Sequence, residues 1–214
     1  MTREKSRLDS RGYQAGKQIT ATRARCRTNP FAVLLFTLVL LYACLCPARE
    51  EEPSPELLVK ASFLLNFMRF TEWPTPVLHS AGQYLHLVVL GDVPLARMIR
   101  ESLNGQRVNR QTVRVTIQPT LEAWQNTGRM PQALFVTEPM RRHWRKIAPT
   151  LVDQPVLTMA DSPGFCSQNG MLNLFAQGAT IRFEANPDAA KRASLFLSAQ
   201  MLNLAVITAT EEIP

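Results

Sequence analysis

Strand-like and helix-like segments alternate along the middle of the 214-residue chain, and this alternation constrains the fold more than any other feature. The run "YLHLVVLGD" is β-branched and aliphatic, and "PLARMIRESL" after it has apolar residues at helical spacing. The same order recurs in "TVRVTI" before "TLEAWQN" and in "ALFVTEP" before "MRRHWRKIAPTL". This order predicts a mostly parallel sheet flanked by helices.

The C-terminal part of the chain departs from this order. After a fourth strand in "PVLTMADSPGF", the segments "GMLNLFAQG" and "ATIRFEAN" predict an antiparallel hairpin that turns at Gln177 and Gly178. Asn186 then caps a closing helix that begins at Pro187. The apolar face of that helix comprises Leu195, Ala199, Leu202 and Val206. The predicted fold class is α/β, a single domain with a C-terminal antiparallel hairpin and a closing helix.

The N-terminal segment predicts export. Residues 1–48 hold 8 Lys/Arg and 2 Asp/Glu, whereas residues 49–214 hold 16 and 15, so the surplus charge precedes the main domain. The basic lead runs into an apolar stretch at 31–46, shorter than the roughly 20 residues that a membrane-spanning helix needs. We predict a signal peptide at 1–48, cleaved after Ala48, and a periplasmic product. Lipidation at Cys44 is an alternative.

The predicted domain organisation follows from this cleavage. A charged, proline-rich spacer occupies residues 49–56, and one α/β domain occupies 57–214. Cys166 is then the single cysteine left, so no internal disulfide is expected.

Catalysis and cofactor binding have little support in the sequence. A cysteine nucleophile needs a base, and no histidine is tied by sequence to Cys166, which we interpret as a free thiol in the turn "SPGFCSQNG". No pair of His, Cys, Asp or Glu has a ligand-like spacing, so we expect no metal, no cofactor and no enzyme. A thiol enzyme remains the least favoured hypothesis.

Two groups of residues are candidates for a partner or dimer interface. The predicted opening helix carries two apolar lines, which are typical of a helix covered on two sides, by the core or by another subunit. The basic run "RRHWRK" is either a solvated helix face or a site for an acidic partner or lipid headgroups. The candidate interface residues are Phe63, Phe67, Phe70, Trp73, Arg141, Arg142 and Arg145. Nucleic acid is not expected as a ligand, because the exported part is nearly neutral.

A ligand cleft is the other candidate site. Open α/β sheets bind small molecules at the carboxyl ends of their strands. Gly91 and Asp92 follow the first long strand, and Asp161, Gly164 and Phe165 follow the fourth. These five residues predict a cleft for a periplasmic small-molecule carrier or sensor.

Six segments in register resemble the YfiR family. They are "LVKASFLLNFMRFTEWP", "LHLVVLGD", "ALFVTE", "PVLTMADSPGF", "NGMLNLF" and "IRFEANPDAAKRASLFLSAQMLNLA", which together cover roughly Leu57 to Ala205. The resemblance implies a dimeric periplasmic regulator that restrains an inner-membrane diguanylate cyclase through the cyclase's periplasmic sensor region. A sensor kinase is the other class of membrane partner that we consider.

The sequence departs from the family at its disulfides. Relatives pair a cysteine after Gly-Phe with another a few residues on, where this chain has Leu172, Asn173 and Leu174. A further cysteine of relatives is replaced around Pro131 and Gln132. The resemblance therefore implies a regulator whose input is not an internal disulfide.

Overall fold

The computed structural model describes Phe31, residues 34–36 and residues 55–209. The chain divides into two compact units, Met1–Glu50 and Glu51–Pro214. In the first unit Phe31 and residues 34–36 are helical and exposed, whereas the predicted cleavage site, Cys44 and the spacer up to Ser54 lie outside the described residues. Within the described ranges, no helix is both long enough and apolar enough to cross a membrane.

The second unit contains seven α-helices and ten strands among residues 55–209. In chain order they are α1 (Pro55–Arg69), β1 (Thr71–Glu72), α2 (Thr75–Ala81), β2 (Tyr84–Leu90), α3 (Val93–Leu103), β3 (Arg107–Val108), β4 (Gln111–Gln118), α4 (Leu121–Gln125), β5 (Ala133–Val136), α5 (Trp144–Leu151), β6 (Leu157–Ala160), β7 (Leu172–Gln177), β8 (Thr180–Ala185), α6 (Pro187–Arg192), β9 (Phe196–Leu197), α7 (Ala199–Leu202) and β10 (Val206–Ile207). Two 3-10 turns, Glu138–His143 and Cys166–Gln168, precede α5 and β7.

Eight of these strands form one sheet in the order β10-β8-β7-β6-β5-β2-β4-β3, and β1 pairs with β9 separately. The central pairs β4-β2-β5-β6-β7 are all parallel, whereas β7 with β8 and β3 with β4 are antiparallel. The mostly parallel sheet and the antiparallel hairpin predicted from the sequence are therefore confirmed.

The core lies on both sides of this sheet, because the parallel strands are covered on both faces. Leu87 and Val89 belong to a cluster shared with α1 and α3. Val88 and Leu90 point the other way, into a cluster shared with α4 and α5. We call these the α1 side and the α5 side of the sheet.

Side-chain caps fix where α3 and α6 begin, as the sequence pattern predicts. The Leu95 amide donates to Asp92 Oδ1 at 3.2 Å at the start of α3. The Ala189 amide donates to Asn186 Oδ1 at 2.9 Å at the start of α6. Each cap satisfies an amide that has no partner within its helix.

The prediction of one continuous closing helix is wrong. α6 ends at Arg192, and Ser194 adopts φ 57°, a left-handed conformation that stops a helix. The Leu195 amide then donates to Ala190 O at 2.9 Å, which buries Leu195 and turns the chain towards β1. The same apolar run therefore forms β9, the short α7 and β10 in place of the later helical turns.

Candidate functional site

The aromatic line on α1 is partly a core feature. The Phe67 ring lies 4.9 Å from the Phe183 ring of β8, and the Phe63 ring lies 5.8 Å from each of them. Phe67 is only 2% exposed, whereas Phe63 is half-buried at the edge of this cluster. Phe67 therefore holds α1 against the sheet and offers no surface to a partner.

Trp73 is also a core residue, in contrast to the interface role expected for it. Its side chain is buried, and its indole Nε1 donates to Gln132 O at 3.1 Å. Phe70, at the end of α1, differs because its side chain is 36% exposed. Of the four aromatic residues in the predicted interface, Phe63 and Phe70 retain accessible surface.

A second set of exposed apolar residues was missed in the sequence. These residues are Phe196, Leu204, Val206 and Ile207. Phe196 is 64% exposed and lies opposite Glu72 in the β1-β9 pair. The Ser198 amide donates to Phe70 O at 2.9 Å, which continues this pairing by one residue. Phe70 directly precedes β1, and Phe196 lies in β9, so the two exposed rings flank the same strand pair, and we call them the aromatic pair.

The three arginines of the predicted interface lie on the α5 side of the sheet. Arg141, Arg142 and Arg145 are exposed, as predicted, while Trp144 and Ile147 point into the core. Among the described residues none of the three arginines forms an ion pair. Because the aromatic residues of α1 pack on the other side of the sheet, the fold does not bring the two halves of the predicted interface together.

Gly91 and Asp92, predicted to line the cleft, pack against the residues that follow β5. Thr137 Oγ1 donates to Leu90 O at 2.9 Å and accepts the Asp92 amide at 3.0 Å. Gly91 has φ 107°, and a Cβ atom there would overlap Thr137 Oγ1 and Met140 Cγ. These contacts leave Gly91 and Asp92 as parts of a packed strand-to-helix turn.

Both carboxylate oxygens of Asp161, directly after β6, have partners within the fold. Its Oδ1 accepts the Glu138 amide at 3.0 Å, and its Oδ2 lies 3.2 Å from Lys60 Nζ of α1. Burial lowers the pKa of Lys60, but its pairing with Asp161 and Glu56 outweighs burial and raises that pKa above the ordinary value. Lys60 therefore stays charged at neutral pH and ties α1 to this end of the sheet.

Gly164 and Phe165 shape the turn that follows β6. The buried Phe165 ring lies 4.4 Å from the Trp144 ring of α5. A Cβ atom at Gly170 would overlap that ring and Phe165 O, so Gly170 lets the chain pass close to it. Phe165 therefore packs in the core, and the ligand cleft expected around these residues stays a prediction.

Cys166 is a free thiol, and it is completely buried. Burial, with a smaller contribution from the charge of Glu184, raises the pKa of this thiol far above its ordinary value. Cys166 O accepts Asn186 Nδ2 at 2.8 Å, which links the turn to the start of α6. A buried, protonated thiol of this kind packs as a small apolar group and is a poor nucleophile.

The structure contains a large cavity away from the predicted cleft. It has a volume of about 520 Å³ and lies between β1, α2 and the turn from β3 to β4. Its wall includes the apolar side chains of Trp73 and Leu85 and the polar side chains of Glu72 and Arg110. None of the residues predicted to form the ligand cleft lines this cavity.

Among the described residues, no group of three or more His, Cys, Asp or Glu could hold a metal ion. The sequence-based expectation that no metal or cofactor is used stays a prediction.

Comparison with known proteins places this fold in a family. A model of the YfiR/HmsC-like family matches residues 58–206, more than two thirds of the chain and nearly all of the α/β unit described above. No curated protein matches the chain with significant similarity. The chain belongs to the YfiR/HmsC-like family.

Proposed function

We propose that the chain is an exported regulator that binds the periplasmic sensor region of an inner-membrane diguanylate cyclase and controls cyclic di-GMP output. The family match over residues 58–206 carries this proposal. Membership of the YfiR/HmsC-like family is consistent with a periplasmic regulator of diguanylate cyclase signalling. The proposed regulator is a homodimer, has no reaction of its own and acts by contact. A sensor kinase is the second class of membrane partner.

The chemistry of the described residues supports contact in preference to catalysis. The thiol of Cys166 is buried and protonated, and Asp161 is engaged by Lys60 and by the Glu138 amide. The aromatic pair, Phe70 and Phe196, is instead exposed at the short β1-β9 strand pair. Exposed aromatic side chains of this kind are enriched at protein interfaces. We therefore assign the partner contact to the aromatic pair.

Capture from detergent-solubilised membranes tests this function. We expect the tagged chain to recover an inner-membrane protein with a periplasmic sensor region and a cyclase domain, and deletion of its gene to change cellular cyclic di-GMP. Substitution Phe196→Asp should reduce capture by about 10-fold or more, because it places a charge in a desolvated contact. Leu58→Asp is the matched control, since Leu58 is also an exposed apolar residue but lies in the first turn of α1, at the other end of the helix from Phe70.

Recovery of no cyclase or kinase, together with unchanged cyclic di-GMP in the deletion strain, would contradict the proposed function. Equal capture by Phe196→Asp and wild type would refute the assignment of the aromatic pair alone.

A second candidate function is small-molecule binding, and the cavity beside α2 favours it. A volume of about 520 Å³ lies within the range of ordinary ligand sites, roughly 300–1,000 Å³. The cavity also combines an apolar floor with the polar side chains of Glu72, His79 and Arg110. This position differs from the cleft predicted at the carboxyl ends of the strands.

A thermal-shift screen with periplasmic metabolites tests this second function. A ligand present at about 100 times its dissociation constant should add roughly 2.7 kcal/mol to the free energy of unfolding. Thr75→Trp should abolish the response, because Thr75 is an exposed residue of the cavity wall and the indole would fill the space. A screen in which no compound raises the unfolding temperature would remove this candidate.

A further inference from the structure

Positive charge in the α/β unit is concentrated in one segment. Residues 120–152 contain five Lys/Arg and two Asp/Glu, a balance of +3, whereas the rest of residues 49–214 contains 11 and 13, a balance of −2. The five cations are Arg129, Arg141, Arg142, Arg145 and Lys146. All five are exposed, and among the described residues none of them forms an ion pair. Their charge is therefore available to an anionic surface.

Arg114 of β4 extends this positive surface. Val113 and Val115 beside it point to the α1 side, so Arg114 points to the α5 side, like the five cations. Its guanidinium carbon lies 3.6 Å from the centroid of the Tyr84 ring, which orients the side chain. The pKa of neighbouring His86 is lowered, first by burial and then by Arg114 and Arg129, so His86 contributes little positive charge at neutral pH.

A cavity of about 270 Å³ lies within this surface, between α4, the loop after it and α5. Arg129 and Lys146 provide two cations in its wall, and Trp124 and Met130 provide apolar area. Met130 is 49% exposed, beside the cations. The combination of paired cations with an exposed apolar side chain matches an anionic group that adjoins a hydrocarbon layer.

One acid of α4, Glu122, interacts electrostatically with Lys146 of the cavity wall. Hydrogen bonds from its own backbone and from Thr120 lower the pKa of Glu122, and His143 and Lys146 lower it further. Glu122 therefore offsets part of the charge of Lys146, whereas Arg129 has no described acidic partner.

We propose that the α5 side of the unit docks on an anionic phospholipid bilayer, with the cavity between Arg129 and Lys146 receiving a headgroup phosphate. The exposed Met130 side chain then reaches the boundary with the acyl chains. The bilayer is favoured over an acidic protein as the ligand because the apolar and cationic groups share one small cavity. Docking in this way directs the α1 side of the sheet away from the membrane.

Vesicle sedimentation tests the proposal with residues 49–214, which contain the whole second unit and both of its core clusters. Binding is expected to vesicles with about 30 mol% phosphatidylglycerol at about 0.1 M salt, and not to phosphatidylcholine vesicles. A salt concentration of about 0.5 M should release the protein, because exposed charges are then screened. A single cooperative thermal transition checks that each variant is folded.

Three double variants that each remove two positive charges locate the site. Arg129→Gln/Lys146→Gln should weaken vesicle binding by about 30-fold, since each cation near the lipid surface contributes roughly a factor of five. Arg141→Gln/Arg142→Gln, outside the cavity, should cost about 5-fold because those charges are partly screened. Arg97→Gln/Arg100→Gln, on α3, should cost less than about 2-fold as the reference.

No binding of the wild-type unit to phosphatidylglycerol vesicles would overturn the proposal and leave an acidic protein as the ligand of the cations. Equal losses in the cavity pair and the α3 pair would also overturn it, because net charge alone would then explain binding. Equal losses in the cavity pair and the Arg141/Arg142 pair would overturn the assignment of the cavity. None of these results bears on capture of a cyclase from detergent, so the two proposals fail separately.

Discussion

Replacing Phe67 by alanine is expected to lower the free energy of unfolding by about 3–5 kcal/mol. The Phe67 ring is almost fully buried and lies 4.9 Å from the Phe183 ring, so its removal leaves a cavity between α1 and β8. The surrounding side chains belong to a well-packed core, which collapses only partly around such a space. Chemical denaturation of residues 49–214 measures the change.

Phe70→Ala is the matched control, because it removes the same side chain from the residue that directly follows α1. Phe70 is 36% exposed, so its truncation should cost about 1 kcal/mol or less. The opposite order of effects would show that the outer line of α1 faces the core, which would make Phe67 the residue available to a partner. A change in partner capture with Phe70→Ala, at unchanged stability, would instead support the aromatic pair.

Most of the sheet could be predicted from the sequence because its strands are buried on both sides. The continuous apolar runs of β2, β5 and β6 fit few structures other than a buried strand. The amphipathic pattern that follows β2, with its cap at Asp92, likewise fits the helix α3. Local pattern and overall topology agree in this region, which is the condition under which sequence reasoning succeeds.

The short elements could not be predicted, since their conformation depends on distant partners. β9 has two residues and exists because β1 offers it an edge, while the apolar spacing around Leu195 also fits a helix. α2 has no fully buried residue, and Val77 and Leu78 of "TPVLHSA", which pack partly against the core, are too short an apolar pattern to indicate a helix. Two-residue strands of this kind have little intrinsic preference.

The candidate surfaces were predictable in composition but not in position. The spacing around Trp144 indicates correctly that Arg141, Arg142 and Arg145 point outward. Whether a helix covers one side of the sheet or the other depends on the crossover between strands, which no local pattern reports. The burial of Trp73 depends likewise on a hydrogen bond to Gln132, 59 residues away. The sequence therefore identified exposed arginines and aromatic residues as interface candidates, but it did not show that the fold places them on opposite sides of the sheet.

Gly91→Ala is expected to destabilise the unit by between about 2 and 6 kcal/mol. Gly91 has φ 107°, a conformation that costs about 1–3 kcal/mol for a residue with a side chain. A methyl group there would also displace Thr137 and Met140, and overpacking of this kind costs typically about 1–3 kcal/mol more. Thr137 cannot move freely, because it bonds to Leu90 O and to the Asp92 amide. Thermal and chemical unfolding of the variant measure the change.

Gly82→Ala separates the two contributions. Gly82 also has a positive φ, 64°, but a Cβ atom there would meet nothing within 4 Å, so its substitution should carry the backbone cost alone. If the two variants are equally destabilised, the space next to Gly91, towards Thr137 and Met140, is open. A ligand cleft at the carboxyl ends of the strands would then regain support. A larger loss for Gly91→Ala means that the turn after β2 is packed against Thr137 and Met140, which favours the cavity beside α2 over this turn as the place for a small molecule.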